Sequence, residues 1–118
     1  MLFRSYLAAV RAHGRAEGEI VRLDLIDAPS LVVAGKFATY VAFPRARYSI
    51  ALLPTRDQLK LGVGHNPFSG LPRGHDIGAL CQEYGGGGHP AVGAVAFARG
   101  DAERAREVAD ALALALSR

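Results

Sequence analysis

Hydrophobic positions along this chain change period several times, and each change marks an element. Leu2, Phe3, Tyr6, Leu7 and Val10 recur at three- and four-residue spacing, with Arg4 and Arg11 between them. That spacing predicts an amphipathic helix ending near "HGRAEG", where glycines gather. Its face is more apolar than a lone surface helix needs, so it must pack on something. From Glu19 the period falls to two. Val21, Leu23 and Leu25 alternate with Ile20, Arg22 and Asp24, which predicts a strand that "DAPS" ends. "GKFATYVAFP" also alternates, with Phe37, Thr39, Val41 and Phe43 on one side and Ala38, Tyr40 and Ala42 on the other. It is expected to be a second strand. "ARYSIALLP" and "QLKLGVGH" follow, and Pro54 with the "TRD" after it predicts a hairpin turn between them. These strands are expected to form an antiparallel group.

"HNPFSGLPRG" is dense in turn formers and predicts a loop. A helix should start at His75 or Asp76, with "IGALCQEY" presenting Ile77, Leu80, Cys81 and Tyr84 as its apolar face. Gly85 stands where a left-handed helix stop belongs. "AVGAVAFA" is apolar enough to predict a strand covered on both faces. Asp101 should cap a last helix that buries Ala105, Val108, Ala109, Leu112 and Leu116. The expected fold class is α/β in the α+β sense: one mixed, mostly antiparallel sheet of about five strands packed against helices. Residues 1–16 form an N-terminal, linker-like helix in this reading, and residues 17–118 form the domain.

Composition narrows the class further. The 118 residues suit a single domain, half of them are hydrophobic, and the one cysteine excludes both a disulfide framework and a multi-cysteine zinc site. The amino terminus lacks the pattern of a secretory signal, and no apolar run approaches a membrane span. A cytoplasmic protein with no membrane contact is the expectation. The net charge is +3, and every basic residue except Lys36 and Lys60 is arginine. Guanidinium groups match phosphate and carboxylate oxygens, although a compositional bias toward alanine and arginine explains the same count.

The stretch that carries chemistry is "CQEYGGGGHPAVGA", Cys81 to Ala94. Glycine in a packed domain loses more backbone freedom on folding than any other residue, so four together need a reason. A glycine run lets backbone N–H groups converge on an anion, and an imidazole at its rim can donate to phosphate or carry charge. The alternative is a tight bend with no ligand. Neither a phosphate-binding P-loop nor a dinucleotide fingerprint fits, because no Lys-Ser/Thr pair follows and the order is helix then strand.

"EYGGGGHPAVGA" resembles the glycine–histidine signature of the DHH-associated domain, the C-terminal domain of the DHH phosphoesterase superfamily. "YSIALLPTRDQLKLGVGHNPFSG" is similar to the hairpin before that signature, and "HDIGALCQEY" to the helix leading into it. The resemblance spans Glu19 to Arg99. It implies a substrate-binding role, with Gly86, Gly87, Gly88 and His89 holding phosphate or a nucleotide end. Many members place an arginine or polar residue at the end of the strand before the loop. Here His65 and Asn66 stand there, with Arg73 in the loop as the substitute arginine. Gly93 follows His89 by four residues where many members take five. With "NPFSG", this looks more like the exopolyphosphatase-like branch than the RecJ branch of that superfamily, which also includes nanoRNases.

The resemblance also implies manganese chemistry, but in a separate N-terminal catalytic domain. No Asp-His-His signature appears in this chain. Asp24 and Asp27 are expected on opposite faces of a strand, Asp57 in a turn and Asp76 at a helix cap, so no cofactor is expected here. Cys81 reads as a buried, inert thiol, His13 and His75 as ordinary surface or cap residues, and Tyr40 and Tyr48 as core or as base-stacking residues. The partners implied are a nucleotide, another phosphorylated small molecule or a short single-stranded nucleic acid, together with a DHH catalytic domain; a homodimer is also open. Two other functions remain open at this point. One is an RNA-binding module like the C-terminal domain of alanyl-tRNA synthetase, where arginine typically follows the glycines. The other is a structural or dimerisation domain in which the run is only a turn.

Overall fold

The computed structural model describes residues 2–27 and 37–118. Ala28, Pro29 and Ser30 of the expected strand break, and Gly35 and Lys36 of the expected second strand, lie outside them. The described elements, in chain order, are α1 (Leu2–His13), β1 (Arg15–Glu17), β2 (Ile20–Asp24), α2 (Phe37–Ala42), β3 (Tyr48–Pro54), β4 (Gln58–His65), α3 (Ile77–Gln82), β5 (Gly87–His89), β6 (Val92–Ala98) and α4 (Ala102–Leu116). The strands form one sheet in the order β1-β2-β3-β4-β6-β5. Among the described residues only β2 and β3 run parallel; every other neighbouring pair is antiparallel. The α+β class with a mixed, mostly antiparallel sheet therefore stands, with six described strands.

The count differs from the expected five in three places. "FATYVA" is the helix α2, not a strand. Its alternation is real, but β2 and β3 pair in parallel, and a parallel neighbour requires a crossover rather than a hairpin. The helix lies in that crossover and packs on α1, burying Ala38, Thr39 and Tyr40, and the Tyr40 hydroxyl meets Ser49 Oγ at 2.9 Å. Tertiary placement thus overrides the β preference of Thr, Tyr and Val. The two added strands are short. "RAE" turns at Gly18, φ +61°, to pair with β2, and part of the glycine run itself becomes β5.

Two cores flank the sheet. On one face, Ile50, Leu52, Leu59, Leu61, Val63 and Val95 meet α3 and α4, with Ala105, Val108, Ala109, Leu112 and Leu116 buried as the helical spacing required. Complete burial of Leu112 alone contributes about 1.5–3 kcal/mol. On the other face, Val10 of α1 joins Leu23, Leu25, Ala38 and Leu53. The helices there contact β2 and α2 and leave the β4–β6–β5 half of that face open. This corrects the expectation for β6. Gly93 and Val95 are buried, but Ala96 and Ala98 on the opposite and terminal positions are exposed, so one face is covered. Asp101 occupies the cap position of α4 without a side-chain cap bond, whereas Asp76 accepts from Ala79 N–H at 3.1 Å and caps α3.

Candidate ligand-binding site

The four glycines separate by what the backbone demands of each. Gly85 has φ +87° and closes α3: its N–H donates to Gln82 O at 3.1 Å, and Gly86 N–H donates to Cys81 O at 3.0 Å. This is the paired closure of a left-handed helix stop. It commits the Gly86 amide to the helix end, so that amide cannot also point at an anion. A Cβ on Gly86 would overlap the Ala94 carbonyl and come within 2.8 Å of Val95 Cγ2. Gly88 has φ +146°, and a Cβ there would overlap Val92 O. Gly87 alone has neither constraint: its φ is not positive, and a Cβ would meet nothing within 4 Å. Backbone conformation or packing accounts for three of the glycines and leaves the fourth without a structural reason.

Gly87–His89 is the outer strand of the sheet, paired with β6 through Gly87↔Ala94, Gly88↔Gly93 and His89↔Val92. An antiparallel ladder uses the amides of alternate residues, so the others face the open edge. The backbone donors are therefore presented along an edge strand rather than converging in a compact nest. The register also puts Gly87 in one cross-strand row with Ala94 and Gly62, and His89 in the next row with Val92 and Gly64. Helix α3 comes close enough on the opposite side that a Cβ on Gly78 would sit 2.7 Å from the Gly88 carbonyl group.

His89 is exposed, and its side chain makes no hydrogen bond or ion pair among the described residues. Around it the loop before α3 is tied to the turn after it. Pro90 O accepts from Ile77 N–H at 2.8 Å and lies 3.4 Å from Arg73 Nη1, while His65 N–H donates to Ala91 O at 3.0 Å. Arg73 Nη1 also donates to His75 O at 2.7 Å. These contacts bring His65, Arg73, His75 and the His89 turn to one end of the sheet. Register still places His65, opposite Tyr48, on the helix-covered face, and His89 on the other.

One ring proton follows from the network. His65 Nε2 lies 3.1 Å from Leu71 O. A carbonyl only accepts, so Nε2 carries the proton and neutral His65 offers Nδ1 as an acceptor. Gly74 N–H donates to the Tyr48 hydroxyl at 2.9 Å, and that hydroxyl lies 3.1 Å from His75 Nδ1. The hydroxyl and Nδ1 share one hydrogen bond, whose donor is set by the His75 tautomer. Tyr48 is 1% exposed, with both imidazoles at ring-centroid distances of 5.8 Å. It supports the loop and is not open for stacking; Tyr40, at 4% exposure, is closed as well.

Asn66 is placed differently from the sequence expectation. It is fully buried, its Nδ2 donates to Ala46 O at 2.9 Å and Pro44 O at 3.3 Å, and its Oδ1 accepts from Phe68 N–H at 2.9 Å. Its amide anchors the loop and does not face a ligand. The residues that sequence reasoning passed over are His75, linked through Tyr48, and Phe68, which is 71% exposed on the loop that Asn66 holds. The alternation of β3 signalled Tyr48 as core but gave no sign of its hydroxyl's partners.

Five arginines elsewhere among the described residues pair with carboxylates. Arg15 pairs with Glu17, Arg22 with Asp110 at 2.6 Å, and Arg106 with Asp24 at 2.7 Å and Asp27 at 3.0 Å. Asp24 and Asp27 therefore converge on one guanidinium instead of diverging. The strand ends at Asp24, and the turn after it brings Asp27 back to the same side. Burial pushes the Asp24 carboxyl up, but the Arg106 bond and the Ile26 N–H outweigh it and hold it below its ordinary value. The hydrogen bond that Arg106 donates to Asp24, then that to Asp27, pushes the guanidinium above its ordinary value. A cleft of about 210 Å³ runs through this cluster, lined by Arg15, Arg22, Arg106, Asp24 and Asp110, away from the glycine run. Its arginines are already matched by carboxylates, so it does not read as an anion site. Arg73, by contrast, touches only carbonyls.

Among the described residues no group of three or more His, Cys, Asp or Glu is placed to hold a metal ion. The residues present do not fit a manganese centre, and no step is derived through one. Cys81 lies buried beneath Gly93, and burial raises its thiol, as for an inert core cysteine. No helix among the described residues is long and apolar enough to cross a membrane.

Comparison with known proteins places this architecture. No protein-family model matches the sequence, and no curated protein does. Among solved structures, the chain is similar to PggH, a pGpG-specific phosphodiesterase from Vibrio cholerae, with a TM-score of 0.77 and 26% identity over 98% of this chain. The chain is a relative of the DHH superfamily. A second structure, a ribosomal-protein family member described as a DHH domain, matches with a TM-score of 0.64 and 16% identity over 97% of this chain, a likeness of fold. The chain spans 41% of the length of the first and 30% of the second. This DHH relative thus corresponds to part of each of those proteins.

Proposed function

We propose that this DHH relative is a phosphate- or nucleotide-binding domain of a DHH-type phosphoesterase, acting as the substrate-holding half without the metal-binding catalytic domain. The observation that carries the reading is Gly87: the one glycine of the run that neither backbone conformation nor packing requires lies on the outer strand that also carries exposed His89, and Arg73 reaches Pro90 next to that histidine. An exposed imidazole and a guanidinium bound only to carbonyls form a donor-rich end suited to phosphate oxygens. The likeness to PggH makes pGpG the first ligand to test, and a short single-stranded nucleic acid the second. With no metal-ligating cluster among the described residues, the chain is expected to bind such ligands without hydrolysing them; a catalytic domain, and its manganese, would be supplied elsewhere.

Calorimetric titration with pGpG, GMP and tRNA tests this directly. Binding of pGpG or GMP, weakened by His89→Ala and by Arg73→Ala with the fold intact by circular dichroism, is the expected result. Preferential binding of tRNA would favour the RNA-binding reading instead. No binding of any of the three, with both variants altering only stability, would leave the glycine run as a structural turn.

A further inference from the structure

We infer that Tyr48 is a positioning residue for Arg73: its hydroxyl fixes the turn from which the guanidinium reaches a bound phosphate, a role that depends on the binding proposed above. Tyr48 opens β3 and is 1% exposed, so it touches no ligand itself. A buried phenol hydroxyl needs a hydrogen-bond partner. Here both partners lie on the loop before α3. The hydroxyl accepts from Gly74 N–H at 2.9 Å and shares a hydrogen bond with His75 Nδ1 at 3.1 Å. The earlier anchors of that loop end at Leu71, whose O lies 3.1 Å from His65 Nε2 and whose N–H donates to Ser69 Oγ at 3.2 Å. Among the described residues, Tyr48 is the one sheet side chain that hydrogen-bonds residues 72–76.

The two tethered residues follow Arg73 directly. Arg73 is exposed, so packing does little to hold it. Its Nη1 donates to His75 O at 2.7 Å and to Pro90 O at 3.4 Å. The guanidinium is thus pinned on one side by the residue that Tyr48 holds and on the other by the residue after exposed His89. Nη1 carries two N–H groups, and these contacts use both. The Nε–Nη2 edge makes no hydrogen bond among the described residues. That edge is a planar pair of donors, the shape that meets two oxygens of one phosphate. A long side chain already held in place gives up less rotamer freedom when the ligand arrives. Without the Tyr48 bonds the carbonyl of His75 is free to shift, and the fork loses its aim although its charge is unchanged.

The experiment measures the affinity of the wild-type chain, Tyr48→Phe, Arg73→Ala and the double variant for pyrophosphate and GMP. NMR relaxation follows the Nε–Hε groups of Arg73 and Arg99 without ligand. Tyr48→Phe keeps the ring and should weaken both ligands by roughly 2- to 12-fold, the equivalent of one neutral hydrogen bond. In the Arg73→Ala background the same change should have no further effect, because a residue that acts through Arg73 then has nothing to act on. The Arg73 Nε order parameter should fall in Tyr48→Phe, while that of Arg99, which bonds Thr55 O beyond the other end of β3, should not change. His75→Ala loosens the tether from the loop side and should also weaken both ligands; it takes the place of Tyr48→Phe if that variant fails to fold. Unchanged affinity of the tether variant, additive losses in the double variant, or an unchanged Arg73 order parameter would overturn the positioning role and leave phosphate binding standing. Absence of binding to either ligand by the wild type would remove the binding role, and the positioning role with it.

Discussion

Replacing Gly87 with alanine separates structure from function at a single carbon atom. The new Cβ would meet nothing within 4 Å, and the residue's φ lies outside the left-handed region. Alanine at such a position stabilises by about 0.4–1 kcal/mol, because the unfolded chain has less freedom to lose. A chain of this size shifts its melting temperature by about 4 °C per kcal/mol, so the unliganded variant should melt roughly 2–4 °C higher. Ligand binding should move the other way, since the methyl group stands where phosphate would approach the backbone. At a hundred times its Kd a ligand adds about 2.7 kcal/mol, and a ten-fold weaker Kd at the same concentration leaves about 1.4 kcal/mol. The ligand-induced shift should therefore shrink by about 5 °C, read by thermal denaturation with and without pGpG. Gly86→Ala is the internal control: its Cβ would overlap the Ala94 carbonyl, and overpacking of that kind costs about 1–3 kcal/mol. A lower melting temperature for unliganded Gly87→Ala would refute the packing argument. A higher one with an undiminished ligand shift would refute the approach of phosphate to this residue.

Asn66→Ala should destabilise the fold by about 2–4 kcal/mol in urea unfolding, because it leaves the carbonyls of Pro44 and Ala46 and the N–H of Phe68 without their partner; an unchanged midpoint would show that water replaces the amide. Acid should weaken the α4–β2 connection. Asp24 is held below its ordinary value by Arg106, so its contribution is present above the unfolded carboxylate pKa of about 3.9 and is lost as pH falls through the lower folded value. The pair is partly exposed, which limits the effect to under about 1 kcal/mol. The stability gap between wild type and Asp24→Asn should accordingly be small at pH 7 and close as the pH is lowered below 4.

Local pattern and tertiary demand divide this fold in a consistent way. Helix α4 was legible because its apolar residues recur at helical spacing over four turns, and the β3–β4 hairpin because two alternating runs flank Pro54 and its polar turn. Helix α2 was not. Six residues are too few to separate a period of two from one of 3.6, and the parallel pairing of β2 with β3 decided the matter. In the site, "GGGGH" marked the position from sequence alone, and Gly85 was recognisable as a helix stop. His89 and Arg73 were nameable as candidates by residue type, and Asn66 was named too, though its amide turns inward.

The order of residues alone determined the fold class, the elements with long clean periods, and the segment proposed here to hold a ligand. These are properties of neighbours within a turn or a strand, where spacing carries the information. Only the tertiary structure decided which glycine is unconstrained, which amides are already bonded, and that Tyr48 and His75 belong to the same end of the sheet as His89. Each of these depends on a contact between residues far apart in the chain. A Cβ is forbidden at Gly86 by β6, and the Asn66 amide is filled by carbonyls twenty residues earlier; no local pattern encodes either.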